Sequence, residues 1–238
     1  MLYSELARYY DRIYHWKDYK GDCAVIERLV SAHKRSPGNR LLDIGCGTGG
    51  HVELLQGRYE CTGVDLQEEM LAIARAKAPK ARFVQGDMRS FELRERFDVV
   101  ICMFSTIGYA TTEQELWWTV SNMAKHLVPG GVAIIEPWLL RADFRPNWIG
   151  MHTYDGEDAK IARLNESRVE GGLTIMDFHY LIGVPGKGVT HFQDRHVLAL
   201  FDLEVTQALM RRAGLEPSFD PKAFALERGA LVGVLTSE

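Results

Sequence analysis

"LLDIGCGTGG", residues 41–50, sets a short apolar run against a loop in which five of the last six residues are glycine or threonine. Glycine weakens regular structure and serves where backbone must come close to something. The spelling G-x-G-x-G-G also satisfies the loose G-x-G-x-x-G pattern. The loop alone therefore leaves a dinucleotide, a triphosphate and a nucleoside without phosphate all open. Its neighbours have to decide.

Working outward, "RLLDI" (40–44) reads as a buried strand and 49–56 as the helix after the loop. "ECTGVDL" (60–66) is a second strand, followed by a helix over 67–78 that stops before Pro79. "ARFVQGD" (81–87) is a third strand, and "FDVVICMF" (97–104), apolar on both faces, suits the centre of a parallel sheet. Thr112 to Glu115 resembles a capping box opening the next helix. "PGG" (129–131) then turns the chain into a fifth strand, "VAIIEPW" (132–138). Upstream, 4–14 and 18–34 read as helices. Strand alternating with helix predicts an α/β fold with a doubly wound, Rossmann-like parallel sheet.

After Trp138 the pattern changes. Runs at 159–170 and 173–183, joined by Gly171-Gly172, read as a hairpin, and 190–201 is a third extended run. A helix over 203–213 is capped by Gly214, and 215–219 and 230–236 finish the main sheet with an antiparallel end. The expected organisation is a seven-stranded domain from 1–138 and 202–238, with 1–35 as a helical lid, and an inserted antiparallel β platform over 139–201.

The 238 residues are 46% hydrophobic, enough for a core without metal or disulfide staples. The net charge of −4 offers no basic field to nucleic acid or anionic lipid. Cys23, Cys46, Cys61 and Cys102 lack zinc-ligand spacing, so no metal is expected and the thiols suit a reducing cytoplasm. The first residues are polar and aromatic, without a signal-peptide core, and no apolar run is long enough to span a membrane.

Three acids, Asp43, Asp65 and Asp87, sit at the carboxyl ends of three successive strands, where open α/β sheets bind ligands. Asp65 lies 20 residues after Gly45, a spacing that lets a carboxylate take ribose hydroxyls. Asp87 is placed to accept the amine of an adenine, with the Met88 backbone N–H beside the ring. A triphosphate loop needs a lysine that is absent here. A pyrophosphate gains nothing from an acid beneath it, whereas a sulfonium nucleoside suits an acid-rimmed site, which favours S-adenosyl-L-methionine (SAM).

"LLDIGCGTGG", "GVDL", "GDM" and "LVPGGVAIIEPW" together resemble the motif series of class I SAM-dependent methyltransferases. "CMFSTIGY" (102–109), "GDMRSF" (86–91), "GGVAIIEPWLL" (130–140) and "PGKGVTHFQDRHVLALF" (185–201) resemble the N-methyltransferases that dimethylate nucleotide-linked amino-deoxysugars for macrolide-type glycosylation. That resemblance implies a SAM cofactor, a sugar-nucleotide substrate and a homodimer contact, the last two involving the inserted platform. It also implies that Tyr109 stands near the reacting amine and that Tyr3 lines the donor pocket. Near the C-terminus the chain keeps only Arg228-Gly229 of a longer family stretch, and Gly45 replaces a common alanine.

The cofactor-binding candidates are Asp43, Gly45, Cys46, Gly47, Asp65, Leu66, Asp87, Met88 and Met103, the last through its carbonyl near the sulfonium. Asp43 has a second reading, as an organiser of the loop. His179, two residues from Asp177 on one strand face, reads as a carboxylate-oriented proton acceptor. His191 and His196 have opposite parity and cannot share a face without a bulge. Arg168 and Arg228 are candidates for a substrate phosphate. Glu136 and Trp138, at the rim after the fifth strand, are candidates for the acceptor pocket. An O- or C-methyltransferase on another small metabolite, a nicotinamide-dependent oxidoreductase and a ligand-binding regulator remain as alternatives. No [DN]-P-P-[FY] element of base-amino methyltransferases follows the fourth strand.

Overall fold

The computed structural model describes residues 1–139, 141, 143–224 and 228–236. Eleven strands form two sheets. The seven-stranded sheet contains β1 (Arg40–Ile44), β2 (Glu60–Asp65), β3 (Arg82–Gln85), β4 (Phe97–Cys102) and β5 (Leu127–Ile135). The four-stranded sheet contains β6 (Trp148–Asp155), β7 (Lys160–Glu170), β8 (Leu173–Val184) and β9 (Gly188–Ala199). The chain then returns to the first sheet through β10 (Leu215–Asp220) and β11 (Ala230–Leu235). The order across the large sheet is β10-β11-β5-β4-β1-β2-β3, with β10 and β11 antiparallel. The expected sheet with an antiparallel end and a separate antiparallel sheet is what the chain forms.

The reversal of order on either side of β1 and β4 opens the crevice in which such sheets bind ligands. β4 is buried at every position, as its unbroken apolar run requires of a central strand. Helices α2 (Tyr19–His33), α3 (Gly50–Leu55), α4 (Glu68–Lys77), α5 (Glu113–Lys125) and α6 (Leu203–Arg212) cover the two faces. The Asp18 carboxylate caps α2 by accepting from the Gly21 N–H at 2.9 Å. On α5, Thr112 Oγ1 accepts from Glu115 N at 3.2 Å, while the Glu115 carboxylate reaches back to Thr111 N at 2.7 Å. The capping box is thus displaced by one residue on its return side.

Three local expectations change. The segment 4–14 is not one helix: it makes turns, a 3₁₀ turn at Ala7–Tyr9 and a single α turn, α1 (Tyr10–Ile13). So short a helix has little stability of its own. It is held by Leu2, Leu6, Tyr10 and Ile13 packing against Phe178, Tyr180 and Ile182 of β8. β5 begins at Leu127, before the Pro-Gly-Gly stretch, which forms a register irregularity opposite Phe97 and Val99. The carbonyl of Gly130, at φ 75°, accepts from Arg35 N and Ser36 N. β6 was not anticipated; it is an edge strand, exposed along much of its length, and so lacks a marked apolar pattern. Among the described residues no helix is long and apolar enough to cross a membrane.

Candidate active site

Two cavities meet at the carboxyl edge of the large sheet. The first, of about 340 Å³, lies over the glycine loop; the second, of about 660 Å³, lies between that edge and the four-stranded sheet. Tyr3, Phe104 and Tyr109 line both.

The first cavity is built largely by backbone. Gly45, Gly47 and Gly49 all adopt left-handed φ, which lets the loop fold back beneath the cavity. A Cβ on Gly45 would lie 2.3 Å from Thr106 Cγ2, so the loop and the turn after β4 are in contact there. The Asp65 carboxylate accepts from Gly47 N and Gln67 N, both at 2.9 Å. Burial pushes this carboxyl above its usual range, and those backbone donors oppose the shift. Gly45, Cys46, Gly47, Asp65, Leu66, Asp87, Met88 and Met103 all line this cavity. Cys46 is itself buried, and burial pushes its thiol well above the usual range. At the end beside Thr48 stand Lys17 and His51, both bonded to Asp22 at 2.6 and 3.2 Å.

Asp43 is a correction. It is buried under the loop, does not line the cavity, and neither carboxylate oxygen has a partner among the described residues. Burial pushes it up to about 6. Asp87 lines the cavity but also pairs with Arg89, which in turn pairs with Glu115 of α5. Arg89 holds Asp87 below the usual carboxylate range.

The second cavity is built by side chains. Its entrance turn is strained: Phe104 and Ser105 both have left-handed φ, 51° and 64°. Each such non-glycine residue costs about 1–2 kcal/mol. Glu136 Oε2 accepts from Phe104 N at 2.7 Å, Ser105 Oγ donates to the Pro137 carbonyl at 3.0 Å, and Arg228 donates to Ser105 Oγ at 2.5 Å. Glu136 is therefore the support of this turn and not a lining group, which corrects its expected place at the acceptor rim. The turn delivers Tyr109, whose hydroxyl lies 2.6 Å from that of Tyr3 and 2.5 Å from His196 Nδ1.

Trp138, Arg163 and Arg228 line the second cavity. Trp138 Nε1 donates to Thr174 Oγ1 at 3.0 Å, and the Arg228 guanidinium lies 4.7 Å from the Trp138 ring centre. Arg163 is buried between the Tyr14 and Phe178 rings. The Nε atoms of Arg163 and Arg228 are buried without partners among the described residues. Arg228 also stands 3.9 Å from the Glu136 carboxylate, whereas Arg163 has no carboxylate partner among the described residues, so the cavity presents guanidinium charge to an anion chiefly through Arg163.

Strand parity overturns two further expectations. His179 and Arg168 lie on the outer face of the small sheet, away from both cavities. His179 stacks on His191, and Arg168 pairs with Asp177 and Glu170. Of the histidines on β8 and β9 the inward one is His196, whose parity opposite to His191 was legible but whose partner Tyr109 was not. Arg163 was also missed: the buried residues of its parity, Asn165 and Ser167 beside Ile161, are mostly polar, so no apolar alternation marked that face as inward.

The donor cavity fits an adenosyl methyl donor better than a dinucleotide. Asp65 faces it without a cationic partner among the described residues and would oppose a pyrophosphate, while Asp87 is paired with Arg89 and the glycine loop carries no lysine.

A family model described as a methyltransferase domain matches residues 41–131. The dTDP-3-amino-3,4,6-trideoxy-alpha-D-glucopyranose N,N-dimethyltransferase of Streptomyces venezuelae is 38% identical over 96% of this chain and 97% of its own. The dTDP-3-amino-3,6-dideoxy-alpha-D-glucopyranose N,N-dimethyltransferase of Streptomyces fradiae is 36% identical over 92% of this chain and 86% of its own. The crystal structure of Streptomyces venezuelae DesVI superposes with a TM-score of 0.91 at 37% identity, covering 97% of this chain and 98% of its own. The SAM-bound amino pentose methyltransferase CalS10 of Micromonospora echinaspora gives 0.84 at 32% identity, with 99% and 97% covered.

Proposed function

The chain belongs to the SAM-dependent methyltransferases, and from that premise we propose that it N,N-dimethylates the amino group of a dTDP-linked amino-deoxysugar. One observation carries the reading: a donor cavity rimmed by acids opens, past Tyr3 and Tyr109, onto a cavity lined by two arginines, Arg163 and Arg228. The full-length likeness to two dTDP-aminosugar dimethyltransferases supports the same acceptor.

When bound, SAM supplies a methyl group already activated on a sulfonium. The remaining work falls to this chain and is mainly alignment, which contributes roughly 7–11 kcal/mol in well-arranged cases. Asp65 would hold the ribose hydroxyls, and the backbone of Gly45, Cys46 and Gly47 would come up against the donor. Leu66 and Met88 would flank the adenine, and Asp87, beside Arg89, would accept from its amine. The Met103 carbonyl would serve the sulfonium end, and the Lys17 ammonium, buried with Asp22, would hold the carboxylate of the methionine portion. In the second cavity Arg163 and Arg228 hold the diphosphate, with Trp138 as a wall. Tyr3 and Tyr109 bracket the amine and keep bulk water from the line of transfer.

The outer face of the small sheet exposes Ile149, Met151, Leu164, Leu181 and Val189. A second copy of the chain covers this face in the proposed assembly, and light scattering would give a dimer mass that Leu181→Lys reduces to a monomer.

The activity is tested by incubating the protein with SAM and dTDP-3-amino-3,4,6-trideoxyglucose. Masses should rise by one and then two methyl groups. Methylation of a hydroxylated metabolite, with none on any amine, would remove the aminosugar, and stabilisation by NADH but not by SAM would remove the donor.

A further inference from the structure

We propose that His196, oriented by Asp194, is the positioning residue that receives the acceptor amine's proton through the hydroxyl of Tyr109. The inference rests on the amine-methylating reading above. It joins two residues of the small sheet's inner face, His196 and Asp194, to Tyr109 from the turn after β4 and Tyr3 from the N-terminal turns.

The geometry forms one line. Tyr3 Oη lies 2.6 Å from Tyr109 Oη, Tyr109 Oη lies 2.5 Å from His196 Nδ1, and His196 Nε2 lies 3.3 Å from Asp194 Oδ2. His196 is buried, and Nε2 otherwise has no partner among the described residues. The Asp194 contact lies off the N–H axis, so it acts on the ring chiefly by charge. That charge favours the tautomer carrying its proton on Nε2, leaving Nδ1 bare toward Tyr109. Tyr109 then donates to Nδ1, Tyr3 donates to Tyr109, and one lone pair of Tyr109 remains toward the junction of the cavities.

The surroundings of His196 set its task. Phe178 of β8 lies edge-on at 5.0 Å, with the Arg163 guanidinium 5.3 Å from the centre of that same ring, and the Tyr3 ring lies at 5.4 Å. Asp194 also accepts from Leu2 N at 2.6 Å and stands 3.6 Å from the Met1 amino group. Burial pushes Asp194 up, but the contacts with His196 and Leu2 outweigh it and hold it at about 2. Burial pushes the Tyr109 hydroxyl far above the usual phenol range. Tyr109 therefore cannot keep the role of base by ionising; it can only pass a proton on, and the imidazole beside it accepts one.

The step balances without another reagent. An ammonium N–H bond breaks, its electron pair stays on nitrogen, and the proton goes to the Tyr109 oxygen. The proton formerly on Tyr109 moves to His196 Nδ1, giving an imidazolium beside the Asp194 carboxylate. The freed amine lone pair then forms its bond to the methyl carbon as the carbon–sulfur bond breaks. After product leaves, the imidazolium returns its proton to water, and the relay is reset for the second methyl group.

Two measurements test this on the full chain. In ¹⁵N-histidine NMR of the wild type without substrate, His196 should carry its proton on Nε2, and Asp194→Asn should lose that preference. A proton fixed on Nδ1 would overturn the relay. Then kcat/KM is followed from about pH 6.5 to about pH 9.5 with SAM and dTDP-3-amino-3,4,6-trideoxyglucose. His196→Asn should lose roughly a hundredfold at the acid end, the lower range for a positioned base, and recover most of it at the alkaline end, where the amine is already neutral. Tyr109→Phe should follow the same slope, and the SAM affinity of His196→Asn, read by calorimetry, should change less than about twofold, because His196 lies outside the donor cavity. A loss equal at every pH, or none, would overturn the proposal. If the wild type leaves this sugar unmethylated at every pH, the aminosugar reading has failed, and the NMR arm alone decides the relay.

Discussion

The donor cavity and the acceptor cavity share Tyr3 and Tyr109, yet they are built by opposite means. The donor side is mostly backbone: left-handed glycines and N–H groups fixed by Asp65, all within one βαβ stretch. The acceptor side is mostly side chain, drawn from the N-terminal turns, the strained turn after β4, all four strands of the small sheet and the segment before β11. A backbone-built site binds what every homologous reaction shares, and a side-chain-built site can be exchanged to suit one acceptor. Substitutions should therefore separate cleanly by cavity.

The largest effect should come from Asp65→Ala. It removes a charged partner of the ribose and unties Gly47 and Gln67, and charge-assisted bonds contribute about 1.5–3 kcal/mol each. SAM affinity by calorimetry should fall roughly a hundredfold while dTDP-sugar affinity stays. A parallel loss of both would break the division between the cavities.

Next is Asp43→Asn, which probes the donor floor through stability. The folded chain holds this proton up to about pH 6, above the usual 3.8, because the carboxyl is buried and has no partner among the described residues. The favourable contribution is complete below the unfolded value and is lost as pH rises toward about 6. The asparagine variant does not titrate, so it should gain about 2–3 kcal/mol relative to wild type between those values. Urea midpoints that run parallel across this window would show that the acid is paired.

Arg163→Met acts on the acceptor side alone. The KM for the sugar nucleotide should rise roughly tenfold, about the lower value of one charge-assisted bond, with SAM affinity unchanged. An unchanged KM would move the diphosphate elsewhere. The smallest effect belongs to His179→Ala, on the outer face, where steady-state rates should stay within about twofold.

The same division governs what was legible in the chain. The donor motifs lie close together in sequence, so glycine, acid and strand spacing led to Asp65, Gly45 and Gly47, all of which line the cavity. The acceptor residues meet only when the four strands of the small sheet fold against the large one, and one-dimensional spacing does not say which strand face turns inward. Asp177 beside His179 looked like an oriented histidine, but that face points outward, and Asp177 is taken by Arg168 and Arg195. Glu136 looked like a rim acid because the two left-handed residues it supports, Phe104 and Ser105, carry no glycine to announce the turn. β6 escaped because an edge strand open to solvent needs no apolar alternation.

Cys46 gives the glycine loop a built-in clock. A thiol that resists ionisation reacts with an alkylating reagent only when its cover lifts. The rate of its labelling therefore counts how often the loop breathes, and a ligand that seals the loop will lengthen the interval between ticks without touching the sulfur.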